Sequence, residues 1–546
     1  MAIRNCFDSR SFIFTSPRGP IHLPVDIDMV SFLLVNTSAR GYHQRLAVVD
    51  ALSGQSFTYL ELHHHIRSVA RAISALGIRQ HDVVLILSPN SIFFPVLFFA
   101  VISLGAVVTT VNPLYTRGEI GKQAKNSNTK LILTVPELAE KVMNLGLPVI
   151  LIDGVESVSN PDTSCRNPTR MLSEVIAAGS QHRVPSVKIN QTDTAALLYS
   201  SGTTGVSKGV VLTHMNFIAA CLQINYDSDV HQETDLTFLC IIPMFHVFGL
   251  SIIVYGQMQR GNTIITMPKF DFVLMLQSIQ KYRITNLPLV PPIMLALAKQ
   301  EVVKKYDLSS VIEMVSGAAP VGKETLEEIY QRLKVPDLRQ GYGMTETTGI
   351  ISVAILKVQK QNYATVGPLI CGMEAVIVDP SSGKRQPPNQ QGEIWVRGPN
   401  VMKGYLNNPE ATASTIDGDG WLHTGDLGYI DDEGNVYIMD RLKELIKFKG
   451  LQVPPAELEA LLVTHSEIVD AAVVPLPDED AGEVPLAYVV RAQGSSLNEQ
   501  DVIQFVAAQV APYKKVRAVK FIDAIPKSTA GKILRRELTQ HLVSKL

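Results

Sequence analysis

Features that would mark several other protein classes are scarce in this 546-residue sequence. Its five cysteines lie far apart and form no Cys-x-x-Cys pair, which argues against a zinc site, a redox pair or a disulfide framework. The 49 lysines and arginines nearly balance 51 aspartates and glutamates, which leaves a formal charge of -2. This charge provides no field for nonspecific binding of nucleic acid or an anionic membrane, so any nucleotide site must be local.

The N-terminal residues lack the continuous apolar stretch and the small-residue cleavage site of a secretory signal. One uncharged stretch, residues 85–116, is long enough to span a bilayer. Pro95, Gly105 and the Asn112-Pro113 turn divide it into a predicted helix at about 91–104 and a β-branched strand at about 106–111. We therefore expect a buried α/β core there and no transmembrane segment.

The order of the apolar runs predicts an α/β fold. Strand-like runs alternate with helical patterns in the first part of the chain, which is typical of parallel sheets. After Gly372, shorter strands separated by Asp-Gly and Ser-Gly turns predict a β-rich subdomain. We therefore predict a large N-terminal domain, residues 1–440, with two α/β subdomains and a β-rich subdomain. Residues 441–546 are predicted to form a small, mobile α+β C-terminal lid.

Three consecutive histidines at 63–65 raise the question of a metal site. No second cluster of ligand residues occurs at a useful spacing in the sequence. We therefore predict that these histidines lie on a solvated helix face.

The strongest local signal is the loop SSGTTGVSKG, which begins at Ser200 between a buried strand and the run VVLTH. Its glycines let backbone N–H groups converge, its hydroxyls donate hydrogen bonds, and Lys208 supplies a positive charge. These properties favour a phosphate-binding loop over a flexible linker, which seldom follows a buried strand. The loop lacks Walker spacing. Residues 317–323 have that spacing, but Glu324 replaces the magnesium-binding hydroxyl, so a P-loop kinase is the less favoured alternative.

Three further segments carry residues suited to a nucleotide. In QGYGMTET, Tyr342 can stack on a planar base and Glu346 can hold Mg²⁺. In TGD, the carboxylate of Asp426, at a glycine turn, suits the two donors of a ribose diol. The basic loop KSTAGK at 527–532 is, from its residues alone, either a ligand-binding loop or a solvated loop.

Taken together, these segments resemble the core motifs of the acyl-adenylate-forming superfamily. That superfamily contains acyl- and aryl-CoA ligases, beetle luciferases and the adenylation domains of nonribosomal peptide synthetases. The order and spacing match from about Leu33 to Leu546, through SSGTTGVSKG, PMFHVFG, QGYGMTE, TGDLG, DRLKELIKFKG and KSTAGKILRR. Within the superfamily, LNNPEAT, GEVPLAYVVR and VAPYKKV look most like the plant 4-coumarate:CoA ligase-like proteins of the peroxisomal branch.

The resemblance implies an ATP-dependent acid:CoA ligase that uses ATP, Mg²⁺ and coenzyme A. Such an enzyme converts a carboxylic acid to its acyl-adenylate and then transfers the acyl group to the CoA thiol. Because the adenylate is already a good electrophile, no covalent enzyme intermediate is needed, and the sequence has no evident Ser-His-Asp or Cys-His arrangement. The alternatives are a luciferase-like adenylating oxygenase and a catalytically inactive adenylate-binding homologue.

The resemblance also implies roles for individual residues in binding ATP and magnesium. The residues expected at the ATP phosphates are Ser200, Ser201, Gly202, Thr203, Thr204 and Lys208. Those expected near Mg²⁺ are Thr204 and Glu346. Those expected around adenine and the acyl group are Ala318, Gln340, Gly341 and Tyr342. Thr345 is expected at the phosphate, and Asp426 and Arg441 at the ribose.

The same resemblance places further residues around the reacting carboxylate and on the lid. His246 is expected beside the carboxylate, and Lys532 is expected to be the catalytic lysine. The residues expected to contact the adenylate or order the lid are Lys443, Lys447 and Gln452. Those expected to serve CoA are Lys269, Lys449 and Gly450. Asp440 occupies the position of the family's hinge.

The sequence departs from true 4-coumarate:CoA ligases at several positions. Phe248 replaces the usual tyrosine, Trp395 replaces the cysteine of GEICIRG, and residues 347–350 read TTGI instead of AGPV. Loss of a phenolic hydroxyl removes a polar contact for a hydroxylated ring. We therefore expect a fatty acid, an oxylipin precursor of jasmonate or a less hydroxylated cinnamate. The expected acyl pocket comprises His246, Val247, Phe248, Ile252, Val315, Ala318, Gly341 and Ile350.

The last three residues of the sequence are Ser544-Lys545-Leu546. This tripeptide is the signal that the peroxisomal import receptor reads. We therefore predict a peroxisomal location with that receptor as a partner, and a cytoplasmic location as the alternative.

Overall fold

The computed structural model describes residues 6–154, 169–200, 207–319, 321–357, 362–449, 451–478, 480–528 and 531–543. Within these ranges the strands are β1 (Phe7–Asp8), β2 (Ile13–Thr15), β3 (Leu46–Asp50), β4 (Ser56–Thr58), β5 (Val83–Leu87), β6 (Val107–Thr110), β7 (Thr129–Thr134), β8 (Val149–Leu151), β9 (Thr169–Met171), β10 (Thr194–Ser200), β11 (Lys208–Thr213), β12 (Thr237–Cys240), β13 (Thr263–Thr266), β14 (Asn286–Leu289), β15 (Glu313–Ser316), β16 (Asp337–Tyr342), β17 (Ser352–Val353), β18 (Glu374–Val378), β19 (Arg385–Gln386), β20 (Gly392–Arg397), β21 (Gly404–Tyr405), β22 (Leu422–Ile430), β23 (Val436–Arg441), β24 (Ile446–Phe448), β25 (Leu451–Val453), β26 (Ile468–Asp478), β27 (Gly482–Arg491) and β28 (Ala518–Phe521).

The helices of the same ranges connect these strands. They are α1 (Met29–Ala39), α2 (Tyr59–Ala75), α3 (Phe93–Ile102), α4 (Arg117–Asn126), α5 (Leu172–Gly179), α6 (His214–Val230), α7 (Gly256–Gln259), α8 (Phe272–Tyr282), α9 (Pro291–Lys299), α10 (Lys323–Leu333), α11 (Pro409–Thr415), α12 (Pro455–Leu462), α13 (Glu499–Ala507) and α14 (Arg535–Val543). Short 3₁₀ helices cover Tyr42–Gln44, Pro136–Lys141, Glu301–Lys305, Thr345–Thr347 and Pro512–Lys514, and a π-helix covers Phe248–Tyr255.

The first α/β sheet has the strand order β21-β11-β10-β6-β5-β7-β8-β9. It is parallel from β10 to β9, and β11 and β21 extend it in antiparallel pairing. As predicted, the long apolar stretch contains a buried helix, α3, followed by a strand, β6, and its first residues belong to β5. No helix in the described ranges is long and apolar enough to cross a membrane.

The second α/β sheet has the order β17-β16-β15-β14-β12-β13-β3-β4. Its strands from β16 to β3 are parallel, and β17 and β4 are antiparallel at the two edges. Parallel strands bring their carboxyl ends to one edge, where open α/β sheets bind ligands. The end of β16 carries Gln340, Gly341 and Tyr342 to that edge.

The β-rich part is an antiparallel sheet with the order β1-β2-β18-β20-β22-β23, in which β19 also pairs with β18. Buried and half-buried side chains alternate along β20, as is typical of an antiparallel sheet with one covered face. The N-terminal hairpin β1–β2 joins this sheet through β18. The sequence analysis did not anticipate this pairing, which links segments more than 300 positions apart.

The C-terminal sheet has the order β25-β24-β27-β26, with β28 parallel to β27. Together with α12, α13 and α14 it forms an α+β unit with its own apolar cluster, which includes Leu458, Val473 and Val489. The predicted α/β fold with an α+β C-terminal part is therefore confirmed.

The prediction for the three histidines is wrong at two of its positions. They lie on α2, where His63 and His65 are buried and His64 is exposed. Consecutive residues of a helix point about 100° apart, so three in a row cannot share one solvated face. His63 bonds with Thr37 across 2.9 Å, and burial lowers the pKa of His63 to about 4. Among the described residues, no group of three or more histidines, cysteines, aspartates or glutamates is arranged to hold a metal ion.

Candidate active site

Three of the predicted nucleotide-binding residues meet where β16 faces the β22–β23 pair. The Tyr342 hydroxyl donates to Oδ2 of Asp426 across 2.5 Å. Arg441 Nε lies 3.3 Å from the other carboxylate oxygen of Asp426, and the two residues are directly paired in the strand register. The three side chains therefore form one connected cluster.

Asp426 is only 3 % exposed, and burial raises the pKa of its carboxyl group. Arg441 and the Tyr342 hydrogen bond oppose that rise. The pKa of Tyr342 is raised as well, mainly by burial and also by the nearby charge of Asp426. Its phenol therefore stays protonated and can donate a hydrogen bond. A carboxylate with so little water around it gains strongly from hydroxyl donors, so the cluster suits a ribose diol.

The interpretation of TGD as a glycine turn is wrong. Residues 424–426 lie inside the nine-residue strand β22. Gly425 has a φ of +73°, and the register between β22 and β23 shifts shortly afterwards. Its backbone N–H donates to Glu393 Oε1 across 2.9 Å, so a side chain from β20 holds this irregular strand in place.

The predicted catalytic lysine lies beside the same cluster. Lys532 Nζ is 3.9 Å from Glu444 Oε1. Burial lowers the pKa of Lys532, Arg441 lowers it further, and Glu444 and Asp426 oppose the change. A Cβ added at Gly531 would lie 3.1 Å from Val290 Cβ, so the loop packs against the residue that precedes α9.

Hydrogen bonds within the C-terminal part fix the Lys532 loop. The Ser528 N–H donates to the Lys532 carbonyl at 2.7 Å, and the Lys532 N–H donates to the Ser528 hydroxyl at 3.1 Å. Lys527 Nζ donates to Asp470 on β26 across 2.5 Å. Lys527, Ser528 and Lys532 are therefore held by bonds within the C-terminal part, while Gly531 contacts Val290 of the N-terminal part.

The predicted metal ligand Glu346 is 4 % exposed and lies next to Ser200, the last residue of β10. Its Oε1 accepts hydrogen bonds of 2.9 Å from the hydroxyls of Ser200 and Tyr405. Ser200 is paired with Lys208 across β10 and β11. A buried carboxylate held in this way fits Mg²⁺, which prefers oxygen ligands. Thr345, predicted at the phosphate, begins the 3₁₀ helix that carries Glu346. The remaining predicted residues of the phosphate loop lie outside the described residues: Ser201, Gly202, Thr203 and Thr204.

The predicted acyl-pocket residues converge around the π-helix Phe248–Tyr255. π-helical segments are rare and are frequently found at functional sites. Val247, Ile252 and Ile350 are buried, and Phe248 and Val315 pack against the same apolar cluster. A Cβ added at Gly317 would lie 3.0 Å from the Phe248 ring, and one at Gly349 would lie 3.1 Å from Ile252. The two glycines thus let the backbone approach these side chains.

His246 precedes this π-helix. Burial lowers its pKa to about 4, so the ring is neutral near pH 7. Its Nδ1 accepts the Phe248 N–H across 3.3 Å. Because one nitrogen of a neutral imidazole accepts and the other donates, the proton is on Nε2, where it can be offered to a carboxylate.

Other predicted residues have different surroundings. Ala318 has a φ of +72°, a strained conformation for a residue other than glycine, which is found at ligand sites. Gln340 donates to the Tyr363 carbonyl at 2.8 Å and accepts the Val321 N–H at 3.1 Å, so its amide fixes the surrounding loops. Gly341 pairs with Val353 at the β16–β17 edge.

Trp395, one of the departures from the 4-coumarate:CoA ligase pattern, lies apart from the Phe248 cluster. It stacks on His423 at 3.6 Å and packs with Trp421 in the β-rich sheet. Its indole N–H donates to Glu393 across 2.8 Å. This difference therefore changes the support of β22 rather than the acyl pocket.

The predicted lid and CoA residues are mostly on the surface. The exposed lysines are Lys269, Lys443, Lys447 and Lys449. The backbone N–H groups of Lys447 and Lys449 donate to Glu483 and to the Ala481 carbonyl. Gln452 lies opposite Lys447 in the β24–β25 hairpin, and Gly450 lies outside the described residues.

Sequence reasoning missed Tyr405, Glu393 and Glu444, which all contact predicted site residues. Glu444 lies within the quoted segment DRLKELIKFKG, and Tyr405 directly precedes LNNPEAT. Their positions in or near recognised motifs could have suggested that they belong to the site. The residues they contact, however, are far away along the chain, so the sequence did not reveal these contacts.

Comparison with known proteins identifies the family. Residues 35–406 match the AMP-binding enzyme family, and residues 457–532 match its C-terminal domain. The chain belongs to the AMP-binding enzyme family.

The relatives are ligases. A probable CoA ligase, CCL5, from Humulus lupulus is 46% identical over 547 residues, which cover 100% of this chain and 98% of the relative. The peroxisomal OPC-8:0-CoA ligase 1 of Arabidopsis thaliana is 46% identical over 98% of this chain and 97% of its own length.

A solved structure of an ATP-bound protein has a similar fold. The ATP-bound structure of MatB from Rhodopseudomonas palustris has a TM-score of 0.81 and 28% identity, and the match covers 94% of this chain and 99% of MatB. The comparisons confirm the predicted superfamily, fold and acid–thiol ligase class, with ATP and CoA as the substrates common to that class.

Proposed function

We propose that this protein activates a largely apolar carboxylic acid as its adenylate and transfers the acyl group to CoA. The observation that carries the proposal is the position of Lys532 beside Glu444, Arg441 and Asp426. These residues come from three motifs that the resemblance assigns to one reaction, TGDLG, DRLKELIKFKG and KSTAGKILRR, so the three motifs meet at one place.

The charges of the cluster suit the first half-reaction. A carboxylate must attack the α-phosphorus of ATP, so two anions approach each other and positive charge must neutralise them. Lys532 supplies this charge at the α-phosphate, and Lys208 does so at the other phosphates. Asp426 accepts the ribose hydroxyls. Bound at Glu346, Mg²⁺ would neutralise phosphate charge.

The environment of His246 and Phe248 suits the acid. The Nε2–H of a neutral His246 donates to the carboxylate, while Val247, Phe248, Ile252, Val315 and Ile350 cover the acyl chain. Phe248 offers no hydroxyl to a phenolic substrate. A fatty acid, an oxylipin or a sparsely hydroxylated cinnamate is therefore the proposed substrate class.

The second half-reaction requires a different face of the lid. In the proposal residues 441–546 rotate as a unit on 1–440 about Asp440, and Lys269, Lys449 and Gly450 then serve CoA. Asp440 accepts N–H hydrogen bonds from Arg441 at 2.7 Å and from Ala456 at 3.0 Å. Its carboxylate thus links the end of β23 to the first turn of α12, where a hinge would act.

We also propose delivery to the peroxisome. The tripeptide Ser544-Lys545-Leu546, outside the described residues, matches the signal of the import receptor. The relative from Arabidopsis thaliana that carries the name peroxisomal supports the same location.

The function can be tested with purified protein and a panel of acids. The panel comprises C6 to C18 fatty acids, OPC-8:0 and cinnamates with increasing hydroxylation. We expect acid-dependent ATP–pyrophosphate exchange, and CoA thioester without light emission once CoA is added. Exchange without thioester would indicate another acceptor, and an absence of exchange with every acid would contradict the proposed activity.

A further inference from the structure

Tyr405 lies between two groups that the proposed function uses. Its hydroxyl donates to Glu346 Oε1 across 2.9 Å. The ammonium of Lys208 lies 4.8 Å from the centroid of its ring. One side chain therefore contacts both the metal-binding carboxylate and the phosphate-binding lysine.

The surrounding strands hold Tyr405 firmly. It is 9 % exposed and pairs with Val210 between β21 and β11. Its N–H donates to the Thr412 hydroxyl at 2.9 Å, and the next N–H, of Leu406, donates to the Gly209 carbonyl at 2.7 Å. The ring is therefore fixed relative to the strand that carries Lys208.

Glu346 is held by the chain segment that contains Tyr405. Besides its two hydroxyl donors, its own carbonyl accepts the Met402 N–H at 2.8 Å. The segment 402–405 thus holds both the backbone and the side chain of Glu346. Because both hydroxyls bond to Oε1, they set the rotation of the carboxylate and the direction in which Oε2 points.

We propose that Tyr405 is a positioning residue that orients Glu346 for the metal ion through its hydroxyl and Lys208 for the phosphates through its ring. The inference rests on the proposed function, because it takes the roles of Glu346 and Lys208 from it. The two parts of the side chain serve different groups, so they can be separated by substitution. If Tyr405 had only a structural role, loss of the hydroxyl and loss of the ring would not affect metal binding and nucleotide binding separately.

The test measures metal and nucleotide binding without turnover. Mn²⁺, followed by electron paramagnetic resonance, replaces Mg²⁺, and α,β-methylene-ATP replaces ATP because its α–β bridge cannot be cleaved. Tyr405→Phe removes only the hydroxyl. We expect its Mn²⁺ affinity in the presence of the analogue to fall about three- to tenfold, the effect of losing one hydrogen bond to a charged group that keeps another donor. Its affinity for the analogue in EDTA should equal that of the wild type.

Tyr405→Leu also removes the ring. Its affinity for the analogue in EDTA should fall by a further factor of about two to ten, the range of a cation–π contact. Tyr437→Phe is the matched control, because it removes a tyrosine hydroxyl that bonds a different carboxylate, Asp431, at 3.1 Å. It should bind both ligands like the wild type.

Glu346→Gln supplies a second check on the mechanism. In that background, addition of Tyr405→Phe should cause no further loss of Mn²⁺ affinity, because the hydroxyl acts through the carboxylate. If the wild type shows acid-dependent exchange and Tyr405→Phe binds Mn²⁺ as tightly as the wild type, the proposal is overturned. An equal loss of metal and metal-free nucleotide binding in Tyr405→Phe would also overturn it. A wild type without acid-dependent exchange would instead refute the proposed function itself.

Discussion

The hydroxyl of Tyr342 donates a 2.5 Å hydrogen bond to the carboxylate of Asp426, 84 residues further along the chain. Tyr342 ends a strand of the second α/β sheet, whereas Asp426 lies in the antiparallel β-rich sheet. The bond therefore joins two sheets at the proposed ribose site. From the C-terminal part, the positive charge of Lys532 favours the ionised form of Asp426.

Substitution of Asp426 should weaken ATP binding through the ribose. Asp426→Asn keeps the size of the side chain but loses its charge, so we expect KM for ATP to rise about tenfold or more, the effect of weakened hydrogen bonds to a charged acceptor. The mutant should distinguish ATP from 2′-deoxy- and 3′-deoxy-ATP much less than the wild type does. If discrimination between these nucleotides is unchanged, the ribose assignment is wrong.

Lys532 should be needed for the first half-reaction and largely dispensable for the second. Lys532→Ala removes a preorganised charge at the α-phosphate, so adenylation should slow by about 10²- to 10³-fold. Given a preformed acyl-adenylate and CoA, the mutant should form thioester at close to the wild-type rate. Rapid-quench measurement of each step tests this, with the exposed lid lysine variant Lys520→Ala as control. Equal losses in both steps would point to a structural role for Lys532.

The pH dependence of adenylation should reflect the lowered pKa of Lys532. Burial and Arg441 favour the neutral amine, so the ammonium should lose its proton at a lower pH than a free lysine. The single-turnover adenylation rate should accordingly fall as the pH rises, and this fall should begin at a lower pH than the titration of an ordinary lysine. Lys532→Arg should show no such fall, because a guanidinium stays protonated there. A fall that persists in Lys532→Arg would assign it to another group.

Phe248 should help to set the choice of acid. Phe248→Tyr introduces a hydroxyl beside Gly317, so kcat/KM should shift towards hydroxylated cinnamates relative to fatty acids, while KM for ATP changes little. Phe505→Tyr, on helix α13 of the C-terminal part, serves as the control. A parallel change for every acid and for ATP would remove Phe248 from the acyl pocket.

The C-terminal tripeptide should direct the protein to peroxisomes. A fusion with a fluorescent protein at its N-terminus should give punctate fluorescence that coincides with a peroxisomal marker, because the receptor reads a free C-terminus. Removal of residues 544–546 should make the signal diffuse. Diffuse fluorescence before and after the deletion would refute the prediction.

Local patterns predicted much of the architecture, because they report on periodicity and turns over short distances. The helix α3 and the strand β6 within residues 85–116 were predicted from Pro95, Gly105 and the Asn112-Pro113 turn. The same local reasoning failed for TGD, because the pattern of a hairpin turn and that of a strand with a left-handed glycine are alike. It also failed for His63 and His65, which are buried by contacts with other elements.

The sequence by itself determined the family, the nucleotide motifs and the order of the α/β, β-rich and α+β parts. These depend on residue types at fixed spacings, which a single chain displays directly. Only the tertiary structure decided which side chains meet. Ser200 and Tyr405 reach Glu346 from positions 146 and 59 residues away, and Glu444 comes close to Lys532 through the docking of a loop. Such contacts depend on sheet register and packing between distant segments, and no local pattern encodes them.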